Sequence, residues 1–158
     1  MNNDFGNWFA GLTDGEGCFK SYTNRRTRCL PQPQFTISLR DDDRPMLEYI
    51  RDQLGFGYLS RRPEFQSREG YISNPTASLI VIRREDTGKL VELFRKYPLR
   101  SKKARDFELW AKIVEIRNRR DWRGRPTPTP DSLADMQEIQ DLTDLLHQVK
   151  KYQVGKVP

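Results

Sequence analysis

The stretch "NWFAGLTDGEGCFK", residues 7 to 20, decides how this chain is read. Phe5, Trp8, Phe9 and Leu12 recur at helical spacing, and Asn3 or Asp4 suits the N-cap. Two acids then stand between glycines at Asp14-Gly15-Glu16-Gly17, where glycine freedom is expected to end the helix and turn the chain sharply into a strand. Glu16 is thereby held at the negative end of the helix dipole. A carboxylate is disfavoured there, so the placement asks for a positive partner, which a divalent metal would supply. On these residues alone, the tetrapeptide also suits a solvated turn.

Working outward, Lys20, Tyr22, Asn24, Arg26 and Arg28 share one parity of a strand running from Cys18 to Arg28 and give it a cationic, polar face. In "PQPQFTISLR", residues 31–40, Gln32, Gln34, Thr36 and Ser38 alternate with Phe35, Ile37 and Leu39, which makes a half-buried second strand. Asp41 to Asp43 and Pro45 open a helix carrying Met46, Leu47, Ile50 and Leu54, closed by Gly55. "GFGYLSRRPEF" and "NPTASLIVIRR" read as a second strand pair joined by a polar loop around Gly70. Asp86 caps a helix with Leu90, Val91, Leu93 and Phe94, stopped by Tyr97-Pro98. Ser101 can cap another, whose buried face is Ala104, Phe107, Trp110, Ala111 and Val114. A Pro- and Arg-rich connector, about 119–131, leads to a last helix, about 132–152, with Leu133, Met136, Ile139, Leu142, Leu146 and Val149 at helical spacing. The order α-β-β-α-β-β-α-α-α gives an α+β chain with one sheet of about four strands.

Composition sets the outer bounds. At 158 residues and 35% hydrophobic content the chain supports one domain over its whole length. Its 28 Lys and Arg against 22 Asp and Glu, a net charge of +6, favour a polyanionic partner. Cys18 and Cys29 form no metal-type pair; their spacing permits one disulfide, and reduced thiols of an intracellular protein fit better. No apolar run is long enough to span a membrane, and Met1 leads almost directly into the first helix without a signal-like segment. The expectation is a soluble protein acting where it is made, with organellar, archaeal, bacterial and phage origins not distinguished. His147 is the sole histidine, so histidine-metal nucleases and Ser-His-Asp hydrolases lack their parts.

"FAGLTDGEG", Phe9 to Gly17, closely resembles the signature of the LAGLIDADG homing endonucleases. Ala10, Gly11, Leu12, Asp14 and Gly17 match it position by position, while Phe9, Thr13 and Glu16 substitute for Leu, Ile and the second acid. "GFGYL" (55–59) and "YPLRSKKARDF" (97–107) are similar to later segments of that family, so the resemblance covers a core of about residues 4–117. It implies an αββαββα fold with a curved four-stranded antiparallel sheet forming a DNA-binding saddle, plus additional C-terminal helices. One motif in the chain implies the homodimeric kind, with the motif helices packed across a dyad at Ala10 and Gly11. The implied activity is a site-specific double-strand break in a long, pseudo-palindromic DNA, made by Mg²⁺-dependent hydrolysis, with Ca²⁺ supporting binding without cleavage. Glu16 and the Gly15 carbonyl are the implied metal ligands, and Asp14 is a helix-end or interface group. Lys103 is the implied basic residue at the cleavage site, with Lys102 close enough to exchange roles. Where related enzymes place a polar side chain near the end of the second strand, this chain has Leu39, and Arg40 beside it is the candidate substitute.

For recognition, two-stranded ribbons fit the DNA major groove, where Arg reads guanine and Gln or Asn reads adenine. Lys20, Tyr22, Asn24, Arg26, Arg28, Gln32, Gln34, Thr36, Ser38, Ser60 and Arg62 lie on the candidate parity, joined by Thr76 and Ser78, and this set contains no acid. Arg117, Arg119, Arg120, Arg123 and Arg125 suit phosphate contacts. Trp8 and Trp110 are expected in the core, with Trp122 undecided. The competing function on the same scaffold is a non-cleaving nucleic-acid binder, an intron RNA maturase or a transcriptional regulator; intron RNA is therefore a second candidate partner. No membrane partner is expected.

Overall fold

A computed structural model describes residues 3–23, 30–66, 70, 72–120, 122 and 129–150. Asn24, Arg26, Arg28 and Arg123, all assigned above to DNA contact, lie outside the described residues, as do Cys29 and Arg125.

The first helix, α1 (Asn3–Glu16), runs through Gly15, and β1 (Gly17–Tyr22) begins at the next residue. The expected glycine-driven turn is therefore corrected. Gly15 stays helical, and among the described residues the positive-φ glycines are Gly55, Gly57 and Gly70. What Gly17 supplies is close approach: a Cβ there would lie 2.5 Å from Thr13 Cγ2 and 2.8 Å from the Thr13 carbonyl oxygen.

Strand β2 (Gln32–Arg40) is followed by a 3-10 turn at Asp41–Asp43 and by α2 (Arg44–Leu54), which ends at Gly55 in the left-handed region (φ 73°). Next come β3 (Tyr58–Arg62), β4 (Phe65–Gln66), β5 (Ile72–Ser73) and β6 (Thr76–Val81). Described residues of the expected polar loop form a small β4–β5 ribbon, whose Phe65↔Ser73 and Gln66↔Ile72 pairing continues the register of β3 with β6. Helices α3 (Arg84–Lys96), α4 (Lys103–Arg119) and α5 (Pro130–Lys150) complete the order. The ends of α3 and α4 differ slightly from the expected caps: Asp86 falls in the first turn of α3, while the Ser101 hydroxyl accepts the Lys103 amide at 3.1 Å.

The main sheet is four-stranded and antiparallel, in the order β1-β2-β6-β3. Its odd-numbered side chains, including Phe19, Phe35, Ile37, Leu79 and Val81, face the helices and are fully or almost fully buried. Phe9 of α1 and Phe94 of α3 stack at 5.5 Å, and Phe19 meets Phe35 at 5.2 Å and Trp110 at 5.3 Å. Burial of this aromatic set is the main driving force holding helices to sheet. Trp110 lies in the core as expected, but Trp8 does not: it is 41% exposed and rests beside Tyr49.

The buried stripe of α5 also differs from the apolar spacing. Leu133 and Met136 are exposed, while Asp135, Ile139, Thr143 and Leu146 face inward. Two polar residues on that face escape a hydrophobic count because their partners lie elsewhere in the chain. Asp135 pairs with Arg119 and Arg120, and the Thr143 hydroxyl bonds that of Ser21 at 2.8 Å. His147 contributes a ring nitrogen 2.8 Å from the Ser21 carbonyl, a packing role.

Candidate nucleic-acid interface and cleavage centre

The register brings the expected strand residues onto one face. Lys20 lies opposite Gln34, Tyr22 opposite Gln32, Ser38 opposite Ser78, and Ser78 opposite Ser60 in turn; Arg40 and Arg62 both flank Thr76. Side chains of one parity in neighbouring strands project from the same side, so all of these occupy the surface turned away from the helices. Its charged members, Lys20, Arg40 and Arg62, are all cationic. The face is internally ordered: Gln34 donates to the Thr36 hydroxyl at 2.7 Å, Ser38 and Ser78 bond at 2.8 Å, and Arg62 donates to Ser73 at 3.1 Å. Thr36 is buried within this face, which leaves Gln34 and Ser38 more accessible than it. Arg40 is tied to Asp42 at 3.0 Å with both side chains well exposed, a weak pair that water readily replaces. Tyr58 sits on the same face at 48% exposure; its parity with Ser60 and Arg62 was sufficient to find it.

At one end of this surface, α1 delivers Glu16. The carboxylate is exposed at the helix C-terminus, where the last carbonyls have no intrahelical partner. The positive group that this position demands is present: Lys103 Nζ donates to the Gly15 carbonyl at 2.5 Å and lies 3.3 Å from that of Thr13. A lysine closing a helix C-terminus is favoured by the dipole. Asp14 points the other way and holds the start of α4, accepting the amides of Arg100 at 2.9 Å and Ser101 at 3.0 Å. Burial pushes the Asp14 carboxyl up, but the Arg100 amide, the Ser101 hydroxyl and amide and the Lys103 charge outweigh it and hold the group below the usual carboxylate range. Leu39 lies on the helix-facing parity opposite Ala77, and its neighbours Ser38 and Arg40 are the polar groups flanking it on the open face.

Glu16 and the Gly15 carbonyl are both oxygen donors, the hard set that suits Mg²⁺ or Ca²⁺. Among the described residues no three His, Cys, Asp or Glu side chains converge.

On α1, Ala10 and Gly11 separate in role. Ala10 is buried at 5% exposure within its own chain, whereas a Cβ at Gly11 would meet nothing within 4 Å. Trp8, Gly11 and the half-buried Leu12 form an outward-facing patch of this helix. Of the connector arginines, Arg117 donates to the Pro31 carbonyl, and Arg119 and Arg120 pair with Asp135, with the Arg119 side chain still 58% exposed. Cys18 is a free thiol, and the indole of Trp122 donates to the Arg117 carbonyl at 3.0 Å while packing against the core. No helix among the described residues is long and apolar enough to cross a membrane.

Comparison with known proteins meets this geometry. "Probable intron-encoded endonuclease Cox1-I1b" of Schizosaccharomyces pombe is 28% identical over 114 residues, covering 71% of this chain and 27% of the relative. "Probable intron-encoded endonuclease 4" of Neurospora crassa is 29% identical over 112 residues, covering 69% of this chain and 18% of the relative. The chain therefore spans less than a third of the length of either. Among solved structures, the homing endonuclease I-TnaI is 25% identical at a TM-score of 0.64, covering 92% of this chain and 97% of that one. The archaeal intron-encoded homing endonuclease I-Vdi141I, complexed with DNA, shares the fold at a TM-score of 0.72 and 18% identity, covering 99% and 91%. The LAGLIDADG endonuclease profile matches residues 9–114, which takes in the second half of α1, the whole main sheet and most of α4, and the chain belongs to that family.

Proposed function

We propose that the chain is one subunit of a homodimeric homing endonuclease that makes a double-strand break in a long, pseudo-palindromic DNA target. The observation that carries this reading is the position of Glu16: an exposed carboxylate, one peptide from the carbonyl that Lys103 contacts, at the end of a sheet face whose described strand residues include Lys20, Arg40 and Arg62 and no acid. Cleavage of a phosphodiester needs an activated water and a counter-charge for the phosphoryl oxygens. Bound Mg²⁺ would supply both, held by Glu16 and the Gly15 carbonyl, while Ca²⁺ would support binding alone. Lys103 exchanges its carbonyl contacts for the phosphate and stabilises the charge that develops there. Asp14 positions the site by fixing the start of α4, which carries Lys103.

Dimerisation follows from the outward patch on α1. A glycine beside an exposed Trp and a half-buried Leu allows close helix approach and supplies apolar area around it. Packing two α1 helices about a dyad joins the two sheet faces into one saddle and places one Glu16 beside each strand of the duplex. Lys20, Gln34, Ser60 and Arg62 then read base edges in the major groove.

The test is Glu16→Gln. The variant should fold, dimerise and bind DNA in Ca²⁺ as the parent does, and fail to nick or cut in Mg²⁺. Retained cleavage would remove the central assignment. A parent protein that binds structured intron RNA and leaves every duplex uncut would favour the maturase alternative.

A further inference from the structure

The family match ends at residue 114, yet α5 sends its last turn to the cleavage centre. A hollow of about 480 Å³ opens between the start of β1, the first turn of α4 and the end of α5. Its charged walls are Lys102, Lys103, Arg105 and Lys150 against one acid, Asp106. Lys150 Nζ stands 4.0 Å from Cys18 Sγ, and Cys18 shares the open parity of the sheet with Lys20. The last turn of α5 thus reaches past the β1 edge to the region between Glu16 and the strand face.

The arrangement is costly without an anion. Burial lowers the Lys150 ammonium from its ordinary range; Cys18 and Asp106 pull against it, and Lys20 and Lys103 add smaller pushes in the same direction as burial. Among the described residues none of Lys20, Lys103, Arg105 or Lys150 forms an ion pair with a carboxylate. Nor is the approach an accident of a loose terminus. Helix α5 is fixed there by the Ser21–Thr143 bond, by His147 on the Ser21 carbonyl and by Arg105 donating to the Val149 carbonyl at 3.1 Å. Like charges held together by specific contacts, with a cavity between them, are the signature of a seat for an anion.

We propose that this hollow seats a backbone phosphate of the DNA next to the cut, and that Lys150, delivered by α5, is one of its ligands. The C-terminal helix is then part of the substrate site and not only a buttress for α4. This rests on the nuclease reading for the word "cut", but the phosphate contact is measurable without cleavage.

The test uses the full chain, a mixed-sequence DNA duplex and Ca²⁺, with binding followed across a salt series. Lys150→Met should make the dependence of log K on log salt shallower by about 0.9 for each Lys150 that touches a phosphate, while Lys150→Arg keeps the parent slope. Both variants are compared at matched thermal melting. Should Lys150→Met loosen α5, the Arg variant decides: a parent-like slope supports the seat, and a slope as shallow as that of the Met variant overturns it. An unchanged slope in Lys150→Met also overturns it, and leaves the nuclease reading untouched. A parent protein that leaves every duplex uncut in Mg²⁺, in contrast, would sink the nuclease reading and leave the phosphate seat standing.

Discussion

Gly17→Ala is the substitution whose consequence follows most directly from distance. A Cβ at residue 17 would come within 2.5 Å of Thr13 Cγ2, 2.8 Å of the Thr13 carbonyl oxygen and 3.1 Å of its Cα. The first contact belongs to a side chain, but Thr13 is fully buried and has nowhere to swing. The second belongs to the backbone of the last turn of α1 and is relieved only if helix and strand separate. Overpacking of this kind costs about 1–3 kcal/mol. Such a loss changes the folded-to-unfolded ratio by roughly 5-fold at the low end and far more at the high end. Thr13→Ser added to Gly17→Ala removes the methyl contact and leaves the carbonyl contact, so it should recover only part of the loss.

The same displacement carries Glu16 and the Gly15 carbonyl away from Lys103, which holds that carbonyl at 2.5 Å. Cleavage under single-turnover conditions should therefore fall by more than stability does. Urea denaturation followed by tryptophan fluorescence reads the first effect, and a plasmid-nicking time course the second. A Gly17→Ala protein with the parent midpoint and the parent rate would refute the claim that glycine is required here for close approach.

Three further outcomes are expected. Gly11→Leu should leave the protomer folded, because a Cβ there meets nothing within its own chain, and should abolish the dimer in light scattering; an unaltered, active dimer would place the interface elsewhere. Arg62→Ala and Gln34→Ala should each cost about 1–3 kcal/mol and relax preference at a few positions repeated in both half-sites, read by cleavage of a randomised library; a uniform loss with unchanged base preference would count against the saddle orientation. Thr143→Val leaves the buried Ser21 hydroxyl without its partner and should destabilise by about 1–3 kcal/mol, with Ser21→Ala restoring much of it, and two additive losses in denaturation would deny the bond.

The strand face was legible because period-two alternation is a local property. Once Gln34 and Phe35 are assigned to opposite sides, every residue of β2 follows, and pairing carries the assignment to β1, β6 and β3. The helix order was legible for the same reason. Three features were not. Trp8 reads as core by size, and nothing local says that its side of α1 is left open. The inward face of α5 carries Asp135 and Thr143, which become compatible with burial only through Arg119, Arg120 and Ser21, residues distant in sequence. The third is the glycine turn, where spacing and composition suggested backbone freedom and the cause is instead the room needed by Thr13.

These misses bear on the chemistry as well as the fold. Glu16 was expected to need a cation from outside the chain, because a local reading sees only the helix end and its dipole. The fold brings Lys103 from 87 residues further along to that helix end, through Asp14 holding Arg100 and Ser101 at the start of α4. The two acids of the motif thus have complementary duties. Asp14 spends its hydrogen-bonding capacity on the backbone that presents Lys103, and Glu16, with its own carboxylate exposed, keeps that capacity for a ligand. Asp14→Asn should consequently weaken Lys103 delivery without altering Glu16. Asparagine keeps one carbonyl acceptor where the carboxylate had two, so one of the Arg100 and Ser101 amides must be released. Cleavage should drop while DNA affinity in Ca²⁺ holds, and raising the Mg²⁺ concentration should not restore it, because the missing element is a lysine position and not a metal ligand. Full rescue by added Mg²⁺ would move Asp14 into the metal shell and undo this division of labour.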